Sequence, residues 1–534
     1  MGTSRLRVLD AHTQRRGPQN GGARPWPQLI SRPGLDRWHQ RFRRGSHHGP
    51  PRTAATAMSG ISVDSAELFR AEITTRIPFK YGIVTMVNVP HVFVRLTVRT
   101  EAGSHAGIAA DHLPPKWFVK DPARAIADEI DDMMCVITHA ATAARALSAP
   151  TVFQFWHELH ETQAQWAEAK GFPPLLAHFG TSLVERALID AFARVHRTTF
   201  AHLLRGDALG LRLGDIHPEL AAARPTDLLP KEPAVRVRCR HTIGLADPLR
   251  EAEVAAQQMP GDSLPYSLEA NIRQYGLRHF KIKIDGGSPD ATIDRLNTVA
   301  AVLSEQVSGD LAVSLDGNES FGSAEAFREF WSHATGHAPI GWLFRHLLFV
   351  EQPLSRSVAL DASRAAFNVW AERPPIIIDE SDAEPSDLRH ALELGYAGTS
   401  HKNCKGIFKG LAHACLIAQR KRQQAGATLI MSGEDLCNIG PVALLQDLAV
   451  QALLGVASVE RNGHHYFAGL SMWPEEIQRA VLLQHPDLYT MSEQGWPRLV
   501  VKDGWLSTRS VVAAPFGVGP ELRLEALPCE HTML

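Results

Sequence analysis

Apolar and polar residues alternate with a two-residue period between positions 72 and 109, which is the pattern of half-buried β-strands. The pattern predicts strands at 72–77 and 92–98, a turn at 101–103 and a further extended segment at 105–109. From position 122 the period changes to that of amphipathic helices, which are predicted at 122–147, 153–170 and 181–203. We therefore expect an α+β first domain at 58–230.

A regular alternation of short apolar runs and amphipathic stretches follows a Pro- and Ala-rich passage at 217–233. Eight strands are predicted: at 235–244 and 280–284, in runs that end at 316, 351 and 379, and at 399–402, 427–432 and 457–460. The stretches between them, such as 324–333 and 408–423, fit helices that cover a parallel sheet. The predicted fold class is α/β, with a TIM-type (β/α) barrel at 231–498 and a segment at 499–534 that packs back on the first domain.

Composition is that of a water-soluble globular protein, with 44% hydrophobic and 21% charged residues. No apolar run approaches the roughly 20 residues of a membrane-spanning helix, and we expect no membrane partner. The six cysteines include no C-x-x-C pair, which favours reduced thiols and a cytoplasmic location. Outside the N-terminal residues, nothing in the charge distribution indicates a nucleic-acid partner.

The first 57 residues have a different composition, with eleven arginines against two acidic residues. They contain few aliphatic side chains, so we expect a disordered basic extension. Two sharper alternatives are an organellar transit peptide, which the low serine content disfavours, and a nucleic-acid-binding arm.

Charged residues stand at the ends of consecutive barrel strands. A basic strand is followed by three strands that end in a carboxylate and then by another lysine, at intervals of 23 to 35 residues. The residues are Lys281 and Lys283, then Asp316, Glu351 and Asp379, then Lys402. Because the strand ends of a parallel barrel converge on one rim, we expect these side chains to surround a single pocket.

Three carboxylates form a hard, all-oxygen ligand set. Such a set suits an octahedral Mg²⁺ that keeps positions open for substrate oxygens, and Mn²⁺ could substitute. Because Asp316, Glu351 and Asp379 include neither His nor Cys, a zinc site is disfavoured. The sequence therefore predicts a magnesium site at the rim.

The positive charge of an inward-facing lysine in a barrel must be balanced by carboxylates or by a metal-bound anion, or removed by a lowered pKa. A lysine with a pKa near ~7 is an effective general base. Lys283 and Lys402 would reach a bound substrate from opposite sides of the barrel, so each face would have an acid or base. This favours removal of a proton α to a carboxylate, with the metal and a lysine stabilising the enediolate. Racemisation, epimerisation, cycloisomerisation and dehydration all remain open outcomes.

At these residues the chain resembles the enolase superfamily, and more closely its mandelate racemase and muconate lactonizing enzyme-like members. The family's Lys-x-Lys is matched by Lys281-Ile282-Lys283, and the resemblance implies that Lys283 is the base with Lys281 assisting. The three metal ligands that it implies are Asp316, Glu351 within Glu-Gln-Pro, and Asp379 within Asp-Glu-Ser.

The resemblance extends from about 62 to 518, although the segment at 153–230 is longer than the family usually has. The first domain resembles the family's capping domain, whose specificity loop falls at 77–82. The sixth-strand lysine falls on Lys402; the second glycine of the family pattern is missing there, so Lys405 remains an alternative. The substrate-binding residues that the resemblance implies are Asn318, Lys80, Tyr81 and Glu434.

The resemblance implies a Mg²⁺-dependent isomerase or lyase acting on a small-molecule carboxylate, as a racemase, epimerase or cycloisomerase. An acid (sugar) dehydratase is the alternative within enzymes. A catalytically silent relative that only binds the metal and an acid is the alternative outside them. We also expect a homo-oligomer.

Overall fold

An antiparallel sheet opens the described part of the chain, which in this computed structural model comprises residues 60–255 and 260–534. Its strands are β1 (Ile61–Tyr81), β2 (Val84–Thr100), β3 (Gly103–His112) and the two-residue β4 (Ser148–Ala149). β2 pairs with both β1 and β3, and β4 pairs with the start of β1. The strands are longer than the alternation predicted. The expectation for residues 1–57 lies outside the described residues.

Helices pack on this sheet, the longer ones being α1 (Ile126–Ala144), α2 (Val152–Lys170) and α3 (Pro174–Val195). The short helices α4 (Phe200–Arg205), α5 (Leu213–Ile216) and α6 (Pro225–Leu228) lead toward the barrel. The sequence pattern merged α3 and α4 into one helix. They are separate because Arg197 adopts a left-handed conformation with φ of 49°, which a continuing helix excludes.

A closed parallel barrel of eight strands forms the rest of the architecture, and each strand pairs in parallel with its neighbour until the last pairs with the first. The predicted TIM-type fold is confirmed. The strands are β5 (Arg236–Ile243), β6 (His279–Lys283), β7 (Ala312–Asp316), β8 (Leu347–Glu351), β9 (Ile376–Ile378), β10 (Gly398–His401), β11 (Ile430–Gly433) and β12 (Ser458–Arg461).

Helices cover the barrel between the strands. They are α7 (Leu268–Tyr275), α8 (Pro289–Gln306), α9 (Ala324–Thr335), α10 (Ala338–Phe344), α11 (Asp387–Glu393), α12 (Ile407–Gln423), α13 (Ala443–Leu454) and α14 (Gly463–Tyr466). Local sequence sets several of their ends. Ser267 and Ser323, for example, accept hydrogen bonds from the backbone N–H three residues on and so cap α7 and α9.

The C-terminal residues return to both sheets. They form α15 (Glu475–Gln484), β13 (Tyr489–Met491), β14 (Pro497–Leu499), β15 (Trp505–Ser507), α16 (Arg509–Ala513) and β16 (Glu530–Met533). β15 pairs antiparallel with β5, and β16 pairs antiparallel with β1. Residues 59–534 form one compact unit, so a domain boundary at residue 230 stays a prediction. None of the described helices is both long and apolar enough to cross a membrane.

Candidate active site

The carboxyl ends of β6, β7, β8 and β9 place charged residues side by side. Lys283 pairs in register with Asp316, and Asp316 pairs with Glu351. Asp379 directly follows β9, the next strand. All four side chains are buried. The barrel closure therefore brings together residues that are up to 96 positions apart in the sequence.

Lys281 lies at the centre of this cluster and contacts four carboxylates. Its Nζ is 2.9 Å from Asp316 Oδ2, 2.7 Å from Glu351 Oε2, 2.8 Å from Glu434 Oε2 and 2.9 Å from Glu460 Oε2. Burial alone lowers the pKa of Lys281, but the charges of Asp316 and Glu351 outweigh it and raise the pKa well above its ordinary value. Lys281 is therefore a structural cation in this arrangement.

Lys283 and Lys402 stand on either side of the carboxylates. Lys283 Nζ donates to Asp316 Oδ2 at 2.5 Å, and Lys402 Nζ donates to Asp379 Oδ2 at 2.7 Å. Burial lowers the pKa of Lys402, but Asp379 and Glu351 raise it well above its ordinary value. Carboxylates, one of the three kinds of compensation expected from the sequence, thus balance the charges of Lys281 and Lys402 here, and the pKa of neither lysine is lowered.

The carboxylates themselves divide into two electrostatic classes. Burial raises the pKa of Asp316, but the ammonium groups of Lys281 and Lys283 offset this and lower the pKa to about 2. The pKa of Glu351 is raised well above its ordinary value by burial and by the nearby charge of Asp316. Glu351 Oε2 lies 2.7 Å from Lys281 Nζ and Oε1 lies 3.6 Å from Lys402 Nζ, but neither oxygen accepts a hydrogen bond of favourable geometry. Additional positive charge at Glu351 would therefore stabilise the cluster.

Lys402 and Lys405 both contact Asp379, but they occupy different places. Lys405 Nζ lies 3.2 Å from Asp379 Oδ1 and 3.3 Å from Asp382 Oδ2, and it donates to Ser400 Oγ at 3.0 Å. Lys402 lines the cavity above the carboxylates, whereas Lys405 is not among the lining residues. The geometry therefore favours Lys402 as the lysine that reaches a substrate.

Glu185 connects the first sheet's helices to the loop that carries Lys402. It lies on α3, is 1% exposed, and accepts hydrogen bonds from Ile407 N at 2.9 Å and Phe408 N at 2.7 Å. These N–H groups belong to the first turn of α12, where a carboxylate is favoured. Burial nevertheless raises the pKa of Glu185 to about 7.

The donor chemistry of Asp316, Glu351 and Asp379 fits a hard divalent cation, and Glu351 has two oxygens without hydrogen bonds. The oxygens of these three carboxylates do not all lie within 4.8 Å of one another. The reason is that the ammonium groups of Lys281 and Lys402 contact the carboxylates in pairs and separate them. A bound cation would take over part of the charge that these lysines now supply.

Among residues 60–255 and 260–534, one group of potential metal ligands has all its ligand atoms within 4.8 Å of one another. It consists of His160, His178 and Glu384. The two imidazole rings are stacked 3.6 Å apart with an interplanar angle of 7°. Lone pairs that lie in parallel planes do not converge on one point, so this group is not arranged to coordinate an ion.

The other residues that the resemblance implied divide between the cavity and its surroundings. Asn318 and Tyr81 line the cavity. Glu434 is fully buried behind it and contacts Lys281 and Arg240. Lys80 is exposed, because β1 alternates and turns the neighbouring Tyr81 inward. The structure does not bring Lys80 to the site.

Glu460 and Trp117 are among the lining residues that sequence reasoning missed. Glu460 lies near the end of β12 and accepts a hydrogen bond from Lys281. Burial raises the pKa of Glu460, but Lys281, the hydrogen bond with Glu434 and the nearby lysines together lower it to about 2. Its position at the end of a predicted strand was a usable signal. Trp117 lies in an unpatterned segment between β3 and α1, with Lys402 Nζ 5.6 Å from its ring centroid. No local pattern indicated it.

Comparisons with known proteins agree with this architecture. Residues 266–480 match the family described as Enolase C-terminal domain-like. An N-succinyl Arg/Lys racemase from Bacillus cereus has a TM-score of 0.55 at 15% identity, with 89% of this chain and 100% of that chain covered. A search of the curated proteins finds no match.

Two further solved structures bind small molecules. A dipeptide epimerase from Enterococcus faecalis, complexed with Mg and the dipeptide L-Leu-L-Tyr, has a TM-score of 0.54 at 14% identity and covers 86% of this chain and 99% of its own. A muconate lactonizing enzyme from Pseudomonas fluorescens, complexed with muconolactone, has a TM-score of 0.53 at 18% identity, with 87% and 98% covered. Residues 266–480 are thus similar to the Enolase C-terminal domain-like family, and the chain shares the fold of these racemase, epimerase and muconate lactonizing enzyme structures.

Proposed function

We propose that this protein is a Mg²⁺-dependent enzyme that removes the α-proton of a small carboxylate. It then either returns a proton to the α-carbon, as a racemase or epimerase, or expels a β-leaving group within the same molecule, as a cycloisomerase. The observation that carries the proposal is that two lysines, Lys283 and Lys402, line one cavity and are anchored to different carboxylates, Asp316 and Asp379. A substrate between them would present one face to each amine.

The two lysines would divide the proton transfer. On one face a neutral amine would take the α-proton, and on the other a protonated amine would return it. Mg²⁺ held by Asp316, Glu351 and Asp379 would offset the carboxylate charge that raises the pKa of Lys402, so that either amine could become neutral. Each amine is held in place by its carboxylate, so it needs little reorganisation to reach a bound substrate. For the opposite stereoisomer the two roles exchange.

Asp316, Glu351 and Asp379 would hold the metal ion. When bound, Mg²⁺ supplies the positive charge that holds a substrate carboxylate and favours its enediolate form. Lys281 keeps the surrounding carboxylates in place through its four contacts of 2.7 to 2.9 Å. The Mg complex of the structurally similar dipeptide epimerase supports this choice of ion.

Hydrogen exchange in D₂O tests the proposal. We expect the Mg²⁺-loaded protein to exchange the α-hydrogen of both enantiomers of an accepted acid, as read by ¹H NMR. Lys283→Ala should reduce exchange of one enantiomer by ~10²–10⁴-fold, and Lys402→Ala should reduce exchange of the other by a similar factor. Lys170→Ala, which removes an exposed lysine at the end of α2, serves as the matched control.

The outcomes separate the candidate functions. Exchange that survives in both variants would refute the two-lysine assignment. Appearance of a 2-keto acid in place of the other enantiomer would indicate the dehydratase alternative. A protein that binds Mg²⁺ and exchanges no acid of a broad library would be the silent relative.

A further inference from the structure

One side of the active-site cavity is apolar. The tip of the β1–β2 hairpin contributes Phe79, Tyr81 and Met86, with Phe79 opposite Met86 in the strand register. Pro114 and Trp117 complete this side. Of the described residues that line this side, none carries a charge or an amide side chain.

The hydroxyl of Tyr81 already has a hydrogen-bond partner within the protein. Its hydroxyl donates to Pro115 O at 2.9 Å, and burial raises its pKa, so it remains a neutral phenol. Phe79 stacks on Tyr466 with ring centroids 4.1 Å apart, and the Tyr466 hydroxyl donates to Asp247 Oδ2 at 2.6 Å. The hairpin tip is thus held as a packed hydrophobic surface.

The opposite side of the cavity contains the charges, and most are paired. Lys283 and Lys402 are bound to Asp316 and Asp379, and Glu460 is bound to Lys281. Asn318 and Asn462 also line the cavity, and their Oδ1 atoms have no hydrogen-bond partner, so the capacity to bind substrate hydroxyls lies on this polar side, next to the reacting end. The cavity therefore has one polar end for a carboxylate and one apolar end for the remainder of the molecule.

We propose, on the basis of the function proposed above, that the substrate is a carboxylate whose distal group is a branched aliphatic or aromatic hydrocarbon, and that polyhydroxylated sugar acids are excluded. The apolar group gains from burial against Phe79, Met86 and Trp117. A hydroxyl buried against the same surface loses its water and finds no partner, which lowers kcat/KM by roughly tenfold or more for each hydroxyl.

A set of 2-hydroxy acids tests the proposal, because they share the reacting end. The probes are mandelate, 2-hydroxy-4-methylpentanoate and gluconate, and the last two both have six carbons. With the Mg²⁺-loaded protein in D₂O, we expect α-hydrogen exchange with the first two and at least ~100-fold lower kcat/KM with gluconate. Gluconate exchange at an equal or higher rate would refute the apolar substrate class and leave the proposed function intact. Absence of exchange with all three would count against the proposed function itself.

Met86→Gln provides a second test, since glutamine has a similar volume and adds an amide at the apolar end. We expect the preference for 2-hydroxy-4-methylpentanoate over gluconate to fall by about tenfold. Thr85→Gln is the matched control, because Thr85 is exposed on the other face of β2. Equal selectivity in the two variants would mean that Met86 does not contact the distal group, and would overturn the proposal.

Discussion

Lys281 is the residue whose removal tests the electrostatics of the site most directly. Its Nζ has four carboxylate oxygens within 2.9 Å, and its side chain is 1% exposed. Lys281→Met keeps much of the volume of the side chain and removes the charge. The four carboxylates would then repel one another in a buried space. The cations that remain close to them are Lys283 at Asp316, Lys402 at 3.6 Å from Glu351, and Arg240 at Glu434.

The expected loss of stability follows from this geometry. Removing one partner of a buried ion pair costs ~3–5 kcal/mol, because the remaining charge is left uncompensated. With four partners affected we expect the upper end, ~5 kcal/mol, which corresponds to a fall in Tm of ~5 °C for a compact unit of this size. Protonation of the carboxylates limits the loss of stability, so the loss is smaller than four times that of a single ion pair.

The destabilisation caused by Lys281→Met should depend on pH in a defined direction. In the wild type the pKa of Asp316 is lowered to about 2, so its ion pairs stabilise the fold above pH ~4 and are lost as the pH falls through 2. In Lys281→Met the carboxylates take up protons more readily. The difference in Tm between wild type and variant should therefore be largest at neutral pH and shrink as the pH is lowered.

Thermal unfolding followed by circular dichroism between pH 4 and 8 measures this effect. Lys170→Met, at an exposed position on α2, is the control for the substitution itself. Added Mg²⁺ should raise the Tm of Lys281→Met, because the ion would supply charge to Asp316 and Glu351. A variant that melts within about 2 °C of the wild type at neutral pH would refute the reasoning.

Two further predictions concern buried carboxylates. The pKa of Glu185 is raised to about 7, so its ionisation opposes folding, and the wild type should lose up to ~3 kcal/mol of unfolding free energy between pH ~4.5 and 7. In Glu185→Gln the unfolding free energy should depend less on pH over this range. Parallel pH profiles in wild type and variant would contradict the prediction. Asp111 Oδ2 lies 2.8 Å from Arg186 Nη2 with both side chains 0% exposed, so Asp111→Ala should cost ~3–5 kcal/mol in denaturant unfolding. Asp64→Ala, at a solvent-exposed ion pair, should change stability little, and similar losses in the two variants would contradict the role of burial.

The placement of the charged residues at strand ends is readable from the sequence. Asp316 and Glu351 each end a short apolar run, and Lys283 ends a strand in which apolar and basic residues alternate. Parallel strands that close into a barrel bring such ends to one rim. The identity of the fold and the row of carboxylates could therefore be predicted. The length of α3 and its separation from α4 could not, because a left-handed Arg197 leaves no signal in the hydrophobic period.

Which side chain faces the cavity was decided only by the tertiary structure. Lys402 and Lys405 lie three positions apart beside the same carboxylate, and only Lys402 lines the cavity. Trp117 reaches Lys402 from a segment without a periodic pattern. Such contacts depend on how the hairpin, the loops and the barrel rim pack together. Periodicity reports which face of a strand or helix is buried, but it does not report which distant residue lies against that face.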